Sequence, residues 1–260
     1  MKRTSRFRCG LIATWALIPA TAGCGDAGVA ELAFEVRRTV PHDPGAYTQG
    51  LLIHEGAFLE STGQYGSSDL RRVDIATGEV LQIHALSEDY FGEGIAVVGD
   101  RVIQLTWKAG LAFVYDAETF DSLATFEYDG EGWGLCYDGA SLFMSDGSST
   151  LFRRDPATFE VLEEIRVTRD GFSKRDINEL ECVGEHLYAN VYMTNEIVRI
   201  DKITGEIIGE LDALSLALSS NRPSDSGAVF NGIAWDEASG TFYVTGKLWP
   251  QMFEIAISGG

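Results

Sequence analysis

The chain has 260 residues, enough for one large domain, and 45% of them are hydrophobic, enough for a sizeable core. Its formal net charge of −19 argues against nucleic-acid binding, which wants a basic face. Glycine is abundant at 29 residues and proline scarce at six, a balance that fits short strands and tight turns.

The amino terminus reads as an export signal. Lys2, Arg3, Arg6 and Arg8 form a basic region, and Cys9 to Ala22 form an apolar one too short for a comfortable membrane span. Thr21-Ala22-Gly23-Cys24 is similar to a bacterial lipobox, with Thr21 in the usual leucine position. Lipidation of Cys24 is the expectation; plain cleavage nearby is the alternative. Residues 1–23 are then a lipoprotein-type signal, 24–32 a tether, and 33–260 the folded domain. The destination is the bacterial periplasm or cell surface, with membrane contact only through the lipid. Of the four cysteines, Cys136 and Cys182 remain. Both sit in apolar, strand-like runs, so buried free thiols are expected, with a disulfide as the alternative that export allows. His42, His54, His84 and His186 are scattered and no CxxC or HExxH occurs, so no zinc site is expected.

Ala33-Phe34-Glu35-Val36 alternates like a strand, and a repeat then begins. Each unit opens with an apolar strand, a glycine-containing turn and a second strand. The openings are Gln49-Gly50-Leu51, Glu93-Gly94-Ile95, Trp133-Gly134-Leu135, Asn178-Glu179-Leu180 and Asn231-Gly232-Ile233. Two more strand-like pieces follow, joined after Asp74 and Asp201 by Asp-x-x-Thr-Gly-Glu turns with glycine where positive φ is wanted. Four strands per repeat of roughly 40–50 residues is a propeller signature. The expected fold is all-β, a five-bladed β-propeller. Its fifth unit carries three strands and ends on Met252-Phe253-Glu254-Ile255, so Ala33 to Val40 would supply the fourth and close the ring. Ser215 to Gly227 is an inserted loop, with a helical turn expected over Leu214 to Leu218.

In such a fold the residue before each first strand lies at one mouth of the central channel. Those residues are Gln49, Glu93, Trp133, Asn178 and Asn231, and only Glu93 is charged. It lies between Gly92 and Gly94, ahead of the apolar run Ile95 to Val98. A polar turn or a solvated rim is the plain reading. Against it, Phe91, Trp107, Trp133 and Tyr192 are the expected neighbours, and a carboxyl in apolar surroundings has a raised pKa that suits acid/base work. Flanking glycines would let a ligand come close. Lys247, after the second strand of unit five, is a candidate cation for the same mouth or a surface lysine.

Six segments occur in order, one or more per repeat: Tyr47-Thr48-Gln49-Gly50-Leu51, Phe91-Gly92-Glu93-Gly94, Leu105-Thr106-Trp107, Glu131-Gly132-Trp133-Gly134-Leu135, Ile177-Asn178-Glu179-Leu180-Glu181 and Thr245-Gly246-Lys247. Together they resemble the plant and bacterial type of glutaminyl cyclase (glutamine cyclotransferase), over nearly all of residues 33–255. The resemblance implies a five-bladed propeller unrelated to the animal zinc enzymes. It implies conversion of an amino-terminal glutamine of peptides or proteins to pyroglutamate, with release of ammonia and no metal or cofactor, by a monomer. Glu93 would be the general acid/base. Gln49, Asn178 and Lys247 would hold the substrate amide, amine and developing oxyanion, and Trp107, Trp133, Phe91, Tyr47 and Tyr192 would wall the pocket. Two positions depart from the family pattern: Tyr47 stands for phenylalanine and Tyr192 for a pocket tryptophan. Two other readings stay open on the residues alone. One is a tethered, non-catalytic propeller that binds a peptide or surface partner; the other is a metal-dependent lactonase using Glu93, Asn178 and Asn231.

Overall fold

The computed structural model describes Met1 and residues 28–259, so the signal, Cys24 and the first part of the tether lie outside the described residues. The chain enters as β1 (Ala30–Glu31) and β2 (Ala33–Pro41). Blade one is β3 (Thr48–His54), β4 (Ala57–Thr62), β5 (Asp69–Asp74) and β6 (Val80–Ala85). Blade two is β7 (Gly92–Val98), β8 (Arg101–Thr106), β9 (Leu111–Asp116) and β10 (Ser122–Glu127). Blade three is β11 (Leu135–Tyr137), β12 (Leu142–Ser145), β13 (Thr150–Arg154) and β14 (Val161–Arg166). A hairpin, β15 (Thr168–Arg169) and β16 (Phe172–Ser173), precedes blade four, which is β17 (Ile177–Val183), β18 (His186–Val191), β19 (Glu196–Asp201) and β20 (Ile207–Asp212). The inserted loop holds α1 (Leu214–Ser219), and blade five is β21 (Phe230–Asp236), β22 (Thr241–Gly246) and β23 (Gln251–Ser258).

The five-bladed expectation is met, closure included. β2 pairs antiparallel with β23 from Ala33 opposite Ser258 to Pro41 opposite Gln251, so the chain start completes blade five. The expected tether is shorter on its described side. Ala30 and Glu31 pair in parallel with Gly209 and Glu210 of blade four, and Leu32 is buried. The amino-terminal strap thus joins two blades. The β15–β16 hairpin was not anticipated; it lies between the last strand of blade three and the first of blade four.

Apolar residues collect between blades, not within a single centre. Leu59 and Leu70 of blade one pack with Ile95 and Val102 of blade two. Equivalent clusters fill the other interfaces, ending with Leu51 and Phe58 against Ala234 and Tyr243 where blade one meets blade five. Each fully buried side chain of this kind contributes roughly 1.5–3 kcal/mol. All six residues of β4 are buried, while β6 and β10 are largely exposed, so the inner strands are the best anchored.

Cys136 and Cys182 form a disulfide, which corrects the free-thiol expectation. The bond joins the inner strands of blades three and four, with Cα atoms 5.6 Å apart and a sequence separation of 46. Two facing apolar strands are where the two thiols meet, so apolar surroundings did not argue against pairing. A loop of this length should stabilise the fold by at most about 4 kcal/mol. Cys182 lies four residues along β17 from Asn178, away from the mouth. The double substitution Cys136→Ser, Cys182→Ser is expected to lower Tm by several degrees in a thermal melt. The circular dichroism spectrum at 25 °C should stay that of the parent, since the bond lies away from the other blade interfaces.

Candidate active site

Four of the five inner strands share one irregularity. Their pairing shifts register between Thr48 and Gly50, Gly92 and Ile95, Ile177 and Leu180, and Phe230 and Ile233. A bulge re-aims a side chain that the regular pleat would send elsewhere. Gln49, Glu93 and Asn178 sit at three of these bulges and point into one cavity; Trp133 reaches it from the loop before β11. The glycines beside them serve packing of backbone on backbone. A Cβ on Gly94 would lie 2.5 Å from Leu135 N, and one on Gly134 only 2.1 Å from Asn178 O. The sequence reading of glycines making room for a ligand is therefore corrected: they make room for the next blade.

The cavity has a volume of about 240 Å³ and is lined by Tyr47, Gln49, Gln64, Phe91, Glu93, Trp107, Trp133, Asn178, Tyr192 and Lys247. All the site side chains that the family resemblance implied therefore converge. Asn231 does not. It is fully buried and donates to Thr48 O at 3.0 Å, tying blade five to blade one. Gln64 was missed: it lies in the loop after β4, the counterpart of the loops that carry Trp107, Tyr192 and Lys247, but one residue past the position those three occupy.

Polar contacts in the cavity form a chain. Lys247 Nζ donates to Gln49 Oε1, and Gln49 Nε2 donates to Glu93 Oε1 at 3.0 Å. An ammonium only donates, so the oxygen of Gln49 must face Lys247 and its NH2 must face Glu93. Lys247 also lies over the rings of Tyr47 at 4.8 Å and Tyr192 at 5.5 Å, both favourable to a cation. Phe91 stacks obliquely on Trp107 with ring centres 5.5 Å apart, and Trp133 meets Tyr192 edge-on at 5.4 Å. Neither Glu93 Oε2 nor the Asn178 carboxamide has a hydrogen-bond partner among the described residues, which leaves both available to a ligand.

Burial sets the titration. Loss of water pushes the Glu93 carboxyl well above the ordinary carboxylate range; Lys247 opposes this and Glu131 adds to it. Burial also pushes Lys247 down to about 8, with Glu93 opposing. The two groups are thus a neutral-leaning acid and a weakened ammonium joined through one glutamine. Glu131 was quoted in the sequence only as part of a motif. Its Oε2 accepts from both indole N–H groups, Trp107 Nε1 at 2.7 Å and Trp133 Nε1 at 3.0 Å, and Lys108 lies 3.5 Å from Oε1. Among the described residues no group of three or more His, Cys, Asp or Glu side chains is placed to hold a metal. His42 is buried away from the cavity, 2.9 Å from Glu60.

A five-bladed propeller with an acid, an amide and a lysine in an aromatic pocket is the type of protein that fold and site define. The sequence profile of the glutamine cyclotransferase family matches residues 10–257, and the chain belongs to that family. It is 41% identical over 229 residues to a glutaminyl-peptide cyclotransferase of Arabidopsis thaliana, covering 86% of this chain and 71% of the relative. It also resembles the crystal structure of Myxococcus xanthus glutaminyl cyclase, with a TM-score of 0.84 and 35% identity over 89% of this chain and 99% of that one.

One carboxylate holding two indoles makes a specific prediction. Glu131→Ala should shift tryptophan emission and raise KM for a glutaminyl peptide roughly fivefold, as expected for lost hydrogen bonds near the surface. Glu131→Gln, which keeps one acceptor oxygen, should recover part of the loss. Unchanged emission and KM in Glu131→Ala would show that the rings are held by packing alone.

Proposed function

We propose that this family member cyclises the amino-terminal glutamine of peptides or proteins to pyroglutamate and releases ammonia, with Glu93 as the proton carrier. The observation that carries the reading is a carboxyl buried in an aromatic cavity, with one oxygen fixed by Gln49 and the other facing the cavity. The substrate's neutral α-amine attacks the side-chain carboxamide carbon, forming a C–N bond. The amine proton passes to Glu93, and Glu93 delivers a proton to the departing nitrogen, which leaves as ammonia when the old C–N bond breaks. A carboxyl raised by burial is suited to both halves of this relay. Because Gln49 donates to Oε1, Oε2 is the oxygen that takes up the amine proton and hands it to the departing nitrogen.

Asn178 is free to bond the substrate amide or amine. Lys247, acting through Gln49 and through its own charge, stabilises the developing oxyanion. The aromatic walls exclude water and favour a folded glutamine, which brings amine and carbonyl within reach. No step in this scheme uses a metal. We also place the enzyme outside the cytoplasm, anchored at Cys24 or released after cleavage nearby. The Cys136–Cys182 disulfide supports an oxidising compartment. A monomer suffices, since one chain provides every lining residue.

The decisive assay is ammonia release from Gln-Ala. Glu93→Gln should lower kcat by roughly 10²–10⁴-fold with little change in KM. Full activity in that variant would refute the role of Glu93, and loss of activity on chelation would refute the metal-free scheme. The pH profile carries a second expectation. Lys247, held near 8, is charged below that pH and loses its proton above it, so kcat should fall on the basic side of about pH 8. Lys247→Met should be slow throughout and lack that limb.

A further inference from the structure

We infer that Gln64 recognises the backbone of the residue that follows the substrate glutamine, an inference that rests on the cyclase reading of the cavity. Gln49, Glu93, Asn178 and Lys247 are all buried, whereas Gln64 is exposed although it lines the same cavity. It therefore stands at the rim. The cavity's volume of about 240 Å³ lies below the roughly 300–1,000 Å³ of pockets for larger ligands, so it holds one residue and the rest of a peptide leaves past the rim.

The loop is built to hold this side chain in place. Gln64 has a φ of +114°, a region that residues other than glycine rarely adopt. Backbone outliers of this kind collect at binding sites, where the surrounding structure enforces them. Here the enforcement is visible on both sides. Gly63 N donates to Tyr47 O at 2.8 Å, and a Cβ on Gly63 would lie 2.1 Å from Phe91 Cε1, so the loop is pressed onto a pocket wall. Tyr65 packs edge-on against Phe91 at 5.5 Å, and Ser68 Oγ donates to Gln64 O at 2.8 Å. The carboxamide of Gln64, by contrast, has no hydrogen-bond partner among the described residues. It offers one acceptor and two donors, the complement of a peptide N–H and C=O. The neighbouring walls are aromatic, so a peptide group leaving the pocket has few other partners there.

The test compares two substrates and two variants. Gln-Ala-amide carries the second residue's N–H and C=O; glutamine methyl ester carries neither. Gln64→Leu should raise KM for Gln-Ala-amide roughly fivefold to tenfold and leave the ester within twofold, with kcat unchanged for both. Gln64→Gly should give the same kinetic pattern together with a higher Tm, because glycine accepts the backbone angle. Equal changes for both substrates, or none, would overturn the role. Titration of tryptophan emission with Gln-Ala-amide separates this outcome from failure of the cyclase reading. If the parent releases no ammonia, that reading falls, yet weaker binding in Gln64→Leu still supports the contact, and equal binding removes it.

Discussion

Five inner strands converge on one axis so closely that side chains at one level have no room. That crowding is the constraint on which the rest depends. Gly50 abuts Gly94 and Ile95, Gly94 abuts Trp133 and Leu135, and Gly134 abuts Asn178 and Glu179. Hydrogen bonds cross every interface near this level. Gln104 reaches Ser61 Oγ at 2.8 Å, Gly94 N reaches Trp133 O at 2.7 Å, and Ser145 Oγ reaches Asn178 O at 2.6 Å. Gly232 N donates to Asn190 Oδ1 at 3.0 Å and Asn231 closes the ring onto Thr48. Residues one position earlier, at the bulges, are thereby fixed around a common opening.

Precision at the opening follows from that ring. Glu93, Gln49 and Asn178 come from three blades, and none is held by its own strand alone. The interblade apolar clusters keep the strands from sliding, and the strap of β1 and β2 keeps blades four and five from opening. A cavity walled this way also keeps water away, and exclusion of water is what moves Glu93 and Lys247 away from their ordinary titration ranges.

Much of this was legible because it repeats. The strand alternation and the glycine turns marked five units, and the position before each first strand marked the mouth. Where the repeat was broken, the sequence was silent. Blades two and three make the same aspartate-capped turn as blades one and four, but with Phe120 and Phe159 at φ of +61° and +64° where the others carry Gly78 and Gly205. Nothing local signals that a buried phenylalanine will take a glycine's angle; packing against the next blade decides it. Gln64 escaped because blade one carries Gly63 where the equivalent loops carry Trp107, Tyr192 and Lys247, and the side chain that lines the cavity comes one residue later. Asn231 was misread because period alone fixes a level in the channel, not a direction. The cysteines were misread because burial does not distinguish two separate thiols from two that face each other.

Unit four departs from the glycine pattern in an instructive way. The position occupied by Gly50, Gly94, Gly134 and Gly232 elsewhere is Glu179, and its carboxylate crosses the axis to accept from Leu51 N at 3.2 Å and Ile233 N at 2.9 Å. It ties the inner strand of blade four to those of blades one and five. Glu181, two residues further in, accepts from Trp235 N at 3.0 Å. Burial raises both carboxyls, with Glu181 pushed up to about 8. Neither carboxyl acts on Lys247, whose downward shift comes from burial with Glu93 opposing it. The shifted acid and base at the mouth are therefore set by local burial and by each other, not by the chain's net charge of −19.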